Sequence, residues 1–233
     1  MQALITGGTK GIGAAIANIL LTHDVDVHIN ARNSDDLKAQ SEKFRIAFPS
    51  RKITWSANDL STKEGVQSLV DDYNGAHQSL DILVNNAGVF LPGETCEEEE
   101  GTLQKMIETN LYSAYHLTRA MLPQILNSKN GHIFNMCSIA SKIAYPNGGS
   151  YSISKFALYG YTKVLREELK EKGVKVTAIL PGATWSNSWA GVDLPHSRLI
   201  EANDIAISVL SAVQMSPSAV VEEIVVRPQL GDL

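Results

Sequence analysis

Cysteine is scarce: Cys96 and Cys137 are the only two in 233 residues. Two are too few for a disulfide scaffold, and neither stands at a metal-ligand spacing, so no metal is expected. Reduced thiols in a cytosolic protein are the simplest reading. An excess of positive charge is missing too. Lys and Arg total 20 against 25 Asp and Glu, a formal net charge of −5. That balance argues against a nucleic-acid binder, which usually carries a basic stripe. No apolar run approaches the roughly 18 residues of a membrane-spanning helix, so no membrane partner is expected. The first residues lack the basic start and apolar stretch of a signal peptide, which makes a cytoplasmic location the default expectation. There is no internal repeat, low-complexity linker or composition break, so residues 1–233 are expected to fold as a single domain. Hydrophobic residues at 44% and charged residues at 19% suit an ordinary globular chain.

Short apolar runs alternate with longer amphipathic stretches. Ala3–Thr6, Val25–Ile29, Ile53–Ser56, Ile82–Val84, His132–Met136, Val174–Ile179 and Ile224–Val226 read as buried strands. Gly11–Leu21, Asp35–Phe48, Lys63–Tyr73, Leu103–Leu126, Tyr151–Glu171 and Asn203–Val213 read as helices. This alternation predicts parallel βαβ units in a Rossmann-type, doubly wound α/β sandwich with a seven-stranded sheet. Glu97–Glu100 is the one charge run, and it reads as a solvated helix start, where carboxylates meet the positive end of the helix dipole.

Between the first strand and first helix lies Thr6-Gly7-Gly8-Thr9-Lys10-Gly11-Ile12-Gly13. Glycines there let the chain turn tightly and let backbone amides approach a pyrophosphate at the helix N-terminus. The spacing is T-G-x-x-x-G-x-G rather than G-x-G-x-x-G. Tyr151 and Lys155 are four apart and share a helix face. An ammonium beside a phenol favours the phenolate, so the pair predicts a tyrosine able to exchange a proton near neutral pH. Ser138 falls at the carboxyl end of the fifth strand, where its hydroxyl could hold and polarise a substrate oxygen.

These landmarks resemble the short-chain dehydrogenase/reductase family. The glycine loop, Asn58-Asp59-Leu60, Asn85-Asn86-Ala87-Gly88, Asn110, Ser138, Tyr151-Ser152-Ile153-Ser154-Lys155 and Pro181-Gly182 follow one another in the family's order over nearly the whole chain. The resemblance implies a catalytic set of Asn110, Ser138, Tyr151 and Lys155. Lys155 would also bind the nicotinamide ribose, and Asn110 would hold a water in a proton relay. Gly7, Thr9, Gly11, Ile12 and Gly13 would cradle the dinucleotide. Asp59 would reach the adenine edge, with Leu60 at its backbone. Asn86, Ala87 and Gly88 would line the adenosine ribose. Pro181, Gly182, Thr184 and Ser186 would meet the nicotinamide. Ser186 stands where the family usually has Thr, and Thr184 where it is often apolar.

The stretch His28-Ile29-Asn30-Ala31-Arg32-Asn33 has no carboxylate for a ribose 2′-hydroxyl. Arg32 and Lys10 instead suit a 2′-phosphate, which predicts NADP(H). Arg32 stacking on the adenine is the alternative. Trp185, Trp189 and Tyr145 are candidate flat walls for a small-molecule substrate, unless the tryptophans only pack the loop onto the body. The segment from Trp185 to about Leu199 makes a short lid over an open cleft. The expectation is a reductase of ketones or aldehydes, with a 3-oxoacyl thioester reductase or a non-catalytic cofactor sensor as alternatives. Relatives pair their long helices across a two-fold axis, which implies a homodimer or homotetramer.

Overall fold

The structure is a computed structural model and describes residues 1–185 and 193–232. Seven strands form one parallel sheet: β1 (Gln2–Thr6), β2 (Asp26–Ala31), β3 (Ile53–Ala57), β4 (Ile82–Asn85), β5 (His132–Met136), β6 (Lys175–Pro181) and β7 (Glu223–Val226). Their order across the sheet is β3-β2-β1-β4-β5-β6-β7. Parallel neighbours cannot be joined by hairpins, so helices carry the crossovers. These are α1 (Gly11–Thr22), α2 (Ser34–Ala47), α3 (Lys63–Ala76), α4 (Thr102–Ile107), α5 (Ser113–Leu126), α6 (Gly149–Leu169) and α7 (Ala202–Val213).

The two-residue period of each strand divides the core. Ile5, Ile29 and Val84 face one side, where Ile16 and Leu20 of α1 and Ile205 and Val209 of α7 cover them. Leu4, Leu83 and Ile133 face the other, under Leu69 of α3, Leu117 and Met121 of α5 and Leu165 of α6. Side chains start several helices. Asn33 Oδ1 accepts from the amides of Asp35 and Asp36 at 2.9 Å, and Thr62 Oγ1 from that of Gly65 at 3.0 Å.

The chain direction across the sheet reverses between β1 and β4. In open α/β sheets that switch point, at the carboxyl ends of the strands, opens the ligand crevice. The opposite, amino end is closed by polar ties: Asp81 accepts from the Gln2 amide at 2.7 Å and from the Ser128 hydroxyl.

Two expectations are corrected. Leu103–Leu126 is not one regular helix, because a π turn over Glu108–Tyr112 separates α4 from α5. The acidic run is not the solvated start of α4. That helix begins at Thr102, after Gly101 at a φ of +89°. Of the four carboxylates Glu98 alone is half-buried. It crosses to α6, where it accepts from the Ser150 amide at 2.9 Å and from the Ser150 hydroxyl.

Three histidines are buried under the sheet. His77 Nδ1 meets Gln2 Oε1 at 3.1 Å, so that nitrogen carries the proton and Nε2 accepts from Thr54 Oγ1 at 2.7 Å. Thr54 in turn accepts from His28 Nδ1 at 2.9 Å, which leaves His28 Nε2 to accept from Ser56 Oγ at 2.9 Å. His132 Nε2 lies 2.8 Å from Thr177 Oγ1, whose own proton goes to the Val221 carbonyl. Burial holds His28 and His132 down to about 3 and His77 to about 4, so all three rings are neutral.

Candidate active site at the carboxyl ends of the strands

The loop after β1 is held by the loop after β4. Thr6 Oγ1 accepts from the amides of Asn86 and Ala87, both at 2.9 Å. The Asn86 side chain donates back to the carbonyls of Thr6 and Gly7, at 2.9 and 3.2 Å. Gly7 has a φ of +65° and Gly11 one of +53°. A side chain at Gly13 would strike the Gly7 carbonyl and come within 2.6 Å of Asn86 Nδ2. The loop therefore keeps its shape through its own packing, at the N-terminus of α1. On it Lys10 and Gly11 are exposed, while Thr9 and Ile12 are half-buried.

Lys10 is exposed and pairs with Asp36 at 2.8 Å. Arg32, just past β2, is exposed, and among the described residues no carboxylate bridges it. The two cations expected at one pocket thus differ: Lys10 has a partner on α2, while Arg32 is ready for an anion. Asp59 bonds the amide and hydroxyl of Ser61 at 3.0 and 2.8 Å. Those bonds, first the one from the Ser61 amide, and the nearby Arg32 keep its carboxyl below the usual range. Leu60 is buried in the core under α3.

Tyr151 and Lys155 lie one turn apart near the start of α6. Lys155 is 4% exposed, and Nζ donates to the Met136 carbonyl at the end of β5 at 2.7 Å. Its ammonium lies 5.7 Å from the Tyr151 ring centre. Burial draws the lysine down to about 8. Burial also pushes the Tyr151 phenol up, and the nearby Ser138 hydroxyl works in the opposite direction. The raised direction differs from the one expected of the Tyr151–Lys155 pair, because burial disfavours the phenolate; a further positive charge beside the phenol would lower it.

Ser138 is extended, with φ −164°, and its oxygen accepts from the Ala140 amide at 3.1 Å. Asn110 sits in the π turn, and its side chain is fully used. It donates to the Val89 carbonyl at 3.0 Å and to Ser154 Oγ at 2.9 Å, and accepts from the Val89 amide at 2.7 Å. The side chain is a clamp within this turn, where π geometry breaks the i+4 ladder. Gly88 lies between the two: a Cβ there would stand 3.2 Å from Asn110 Oδ1 and 3.6 Å from Lys155 Nζ.

Beyond β6, Pro181 is buried and ends the strand. Gly182 packs against the C-terminal segment, where a Cβ would meet Asp232 Oδ1 at 2.6 Å. Arg198 holds that segment by the carbonyls of Gly231 and Asp232, at 2.7 and 3.0 Å. Thr184 is buried and donates to the Gly182 carbonyl at 3.0 Å. Ser186 and Trp189 lie outside the described residues.

Trp185 stacks on His196, ring centres 5.2 Å apart, and its indole N–H donates to the His196 carbonyl at 2.7 Å. It packs the loop rather than standing as a free wall. Tyr145 is 40% exposed and close enough to Tyr151 for each phenolate to disfavour the other; burial, the larger effect, helps push it up to about 12. It borders a cleft of about 390 Å³ with Thr95, Ser152 and Phe156. Sequence reasoning missed Phe90, whose ring meets Tyr151 edge-on at 4.9 Å and is 38% exposed. A lone aromatic in a loop carries no periodicity to reveal it.

The short chain dehydrogenase family model matches residues 1–194. An uncharacterized oxidoreductase of Staphylococcus saprophyticus is 31% identical over 226 residues, 97% of this chain and 96% of that protein. A metagenomic short-chain oxidoreductase solved in complex with NADP is 30% identical, with a TM-score of 0.84 over 98% of this chain and 97% of that one. A short chain dehydrogenase from Burkholderia cenocepacia, also in complex with NADP, is 26% identical, with a TM-score of 0.87 over 97% and 96%. The switch-point crevice, the glycine loop folded onto Asn86 and the Tyr151–Lys155 turn beside Ser138 agree with that match over most of the length: the chain belongs to the short-chain dehydrogenase/reductase family of oxidoreductases.

Proposed function

We propose that this chain, acting as one domain, is an NADP(H)-dependent reductase of a ketone or aldehyde, able to run the reverse alcohol oxidation. One observation carries the reading: Tyr151, Ser138 and Lys155 converge at the end of β5, with Lys155 on the Met136 carbonyl and the Ser138 hydroxyl beside the phenol.

The residues present fit the cofactor. The glycine turn leaves a backbone cradle at the N-terminus of α1, and Arg32 offers a guanidinium that no carboxylate bridges among the described residues. Gly7, Thr9, Gly11, Ile12 and Gly13 would hold the pyrophosphate side, with Arg32 on the 2′-phosphate and Lys10 beside it. Asp59 and Leu60 would take the adenine, Asn86, Ala87 and Gly88 the adenosine ribose, and Lys155 the nicotinamide ribose. Pro181, Gly182, Thr184 and Ser186 would border the nicotinamide. The NADP complexes of the metagenomic and Burkholderia relatives support this choice.

NADPH, when bound, supplies the hydride. Ser138 donates a hydrogen bond to the substrate oxygen and holds it against Tyr151. Tyr151 gives its proton to that oxygen as charge develops on it. Lys155 stabilises the phenolate left behind, which recovers its proton through the turn around Asn110. Phe90 and Tyr145 flank the opening as apolar walls.

No helix among the described residues is long and apolar enough to cross a membrane. A cytoplasmic enzyme remains part of the proposal. So does a two-fold assembly, supported by exposed Tyr112 on the π turn and exposed Ile153, Phe156 and Val164 on α6. The test is NADPH consumption against ketones, aldehydes and 3-oxoacyl thioesters, with Tyr151→Phe beside the unaltered enzyme. The variant should bind NADPH normally and lose turnover; full activity in Tyr151→Phe defeats the reading.

A further inference from the structure

We propose that Glu98 is a positioning residue for Tyr151, acting by clasping the loop after β4 onto the first turn of α6. The proposal rests on the reading of Tyr151 as the proton donor.

The loop from Gly88 to Glu98 runs beside the cleft and is fastened at both ends. At the near end the Asn110 side chain holds both the amide and the carbonyl of Val89. At the far end Glu98 reaches across 52 positions of sequence and takes Ser150 with both carboxylate oxygens, one on the amide and one on the hydroxyl. Between them the Gly93 amide donates to the Asn147 carbonyl at 3.1 Å. Phe90, on the stretch held between these ties, has its edge against the Tyr151 ring.

The fit at Glu98 is built rather than incidental. Ser150 is 1% exposed. Gly149 precedes it, and a Cβ there would drive into Glu98 Oε1 and approach the Gly93 carbonyl at 2.6 Å. Asn147, at a φ of +59°, turns the chain so that the loop and the helix start meet. The first amides of a helix have no partner inside it, so an external acceptor fixes that turn. A carboxylate is favoured there by the helix dipole as well. Here the fixed residue is the one immediately before Tyr151. Without the carboxylate, the turn frays and the loop loses its far anchor, so both the phenol and the Phe90 wall shift. Reaction geometry tolerates little of this: a displacement of about 1 Å can cost on the order of a hundredfold.

The experiment compares Glu98→Ala, Glu98→Gln and Asp81→Ala in the full-length protein. Gln can still accept from the amide and donate to the hydroxyl. Asp81 also takes two hydrogen bonds, but at the amino end of the sheet, away from the site. Three quantities are read: kcat with the best carbonyl substrate of the panel, the dissociation constant of NADPH, and hydrogen exchange at the Ser150 amide. Glu98→Ala should lower kcat by about tenfold or more, keep NADPH affinity within about twofold and speed Ser150 exchange by about tenfold. Gln should restore all three towards the parent. Asp81→Ala should lower the melting temperature yet leave kcat and Ser150 exchange alone, which separates positioning from general stability. Parental exchange at Ser150 in Glu98→Ala overturns the clasp. Faster exchange with parental kcat overturns the positioning role while leaving the reading of Tyr151 intact. An active Tyr151→Phe enzyme defeats that reading instead, with Ser150 exchange unchanged.

Discussion

Acid should unfold this protein well before its carboxylates titrate. The cause is the buried histidines. His28 and His132 are each held near 3, against about 6.5 in an unfolded chain. Below pH 6.5 the unfolded chain takes up protons that the folded chain refuses. Their stabilising effect is therefore complete above about 6.5 and lost progressively as pH falls towards 3. At pH 5 the pH lies about 1.5 units below the unfolded value of each ring, which corresponds to about 2 kcal/mol, or about 4 kcal/mol for the pair. That is a large part of the ~5–15 kcal/mol that holds most domains together. His77 adds in the same direction. Protonating it puts a second donor at Thr54, and the hydrogen bonds from Thr54 through His28 to Ser56 must then reverse, while the bond to Gln2 stays. The assay is urea unfolding at steps from pH 7.5 to pH 5, for the parent and for His132→Gln, whose amide can still donate to Thr177. The parent should lose several kcal/mol across this range. The variant should start less stable and fall less steeply, by about 1 kcal/mol per pH unit near pH 5. A flat parental profile, or equal slopes in the two proteins, refutes the reasoning.

Other outcomes follow from the site. Arg32→Asp should shift preference towards NADH by about tenfold or more, because a charge-assisted bond to phosphate becomes a repulsion; an unchanged NADPH/NADH ratio counts against the assignment. Ser138→Ala should lower kcat by about a hundredfold with NADPH affinity retained, as expected when one donor to a developing oxyanion is removed; titrating cofactor fluorescence and turnover side by side checks this. Gly13→Ala should destabilise the fold and weaken NADPH binding together, since its Cβ meets the Gly7 carbonyl; a melting curve and calorimetric titration matching the parent would exclude that role for the glycine.

The strands and the site motifs were legible in the sequence because they depend on local rules. Buried parallel strands read as continuous apolar runs, and all seven lie within two residues of their expected ends. Tyr151 and Lys155 share a helix face by spacing alone, and their convergence with Ser138 follows from the sheet topology. Other features depend on partners far away in sequence. The run Glu97–Glu100 reads locally as the solvated start of the next helix, and nothing local says that Glu98 serves α6 instead. That Lys10 also has a partner, Asp36 on α2 at 2.8 Å, is equally invisible in the sequence. Trp185 could have walled a substrate, and its stacking on His196 decides otherwise. The sign of the shift at Tyr151 was misjudged because sequence spacing reveals the ammonium but not the burial.

The π turn at Glu108–Tyr112 makes the segment one residue longer than a continuous helix across the same path requires. Met106, Asn110 and Ala114 all face inward, four positions apart, where an ordinary helix averages about 3.6. The surplus residue is a stored rotation. Deleting one residue inside the turn would let the segment close into plain α-helix, and α4 would swing by about 100° relative to α5. Either Asn110 or Met106 would then leave its seat. A single-residue deletion that scarcely alters hydrophobic content would thus uncouple the two halves of the segment, while substitutions at the exposed positions of the same turn leave the phase untouched.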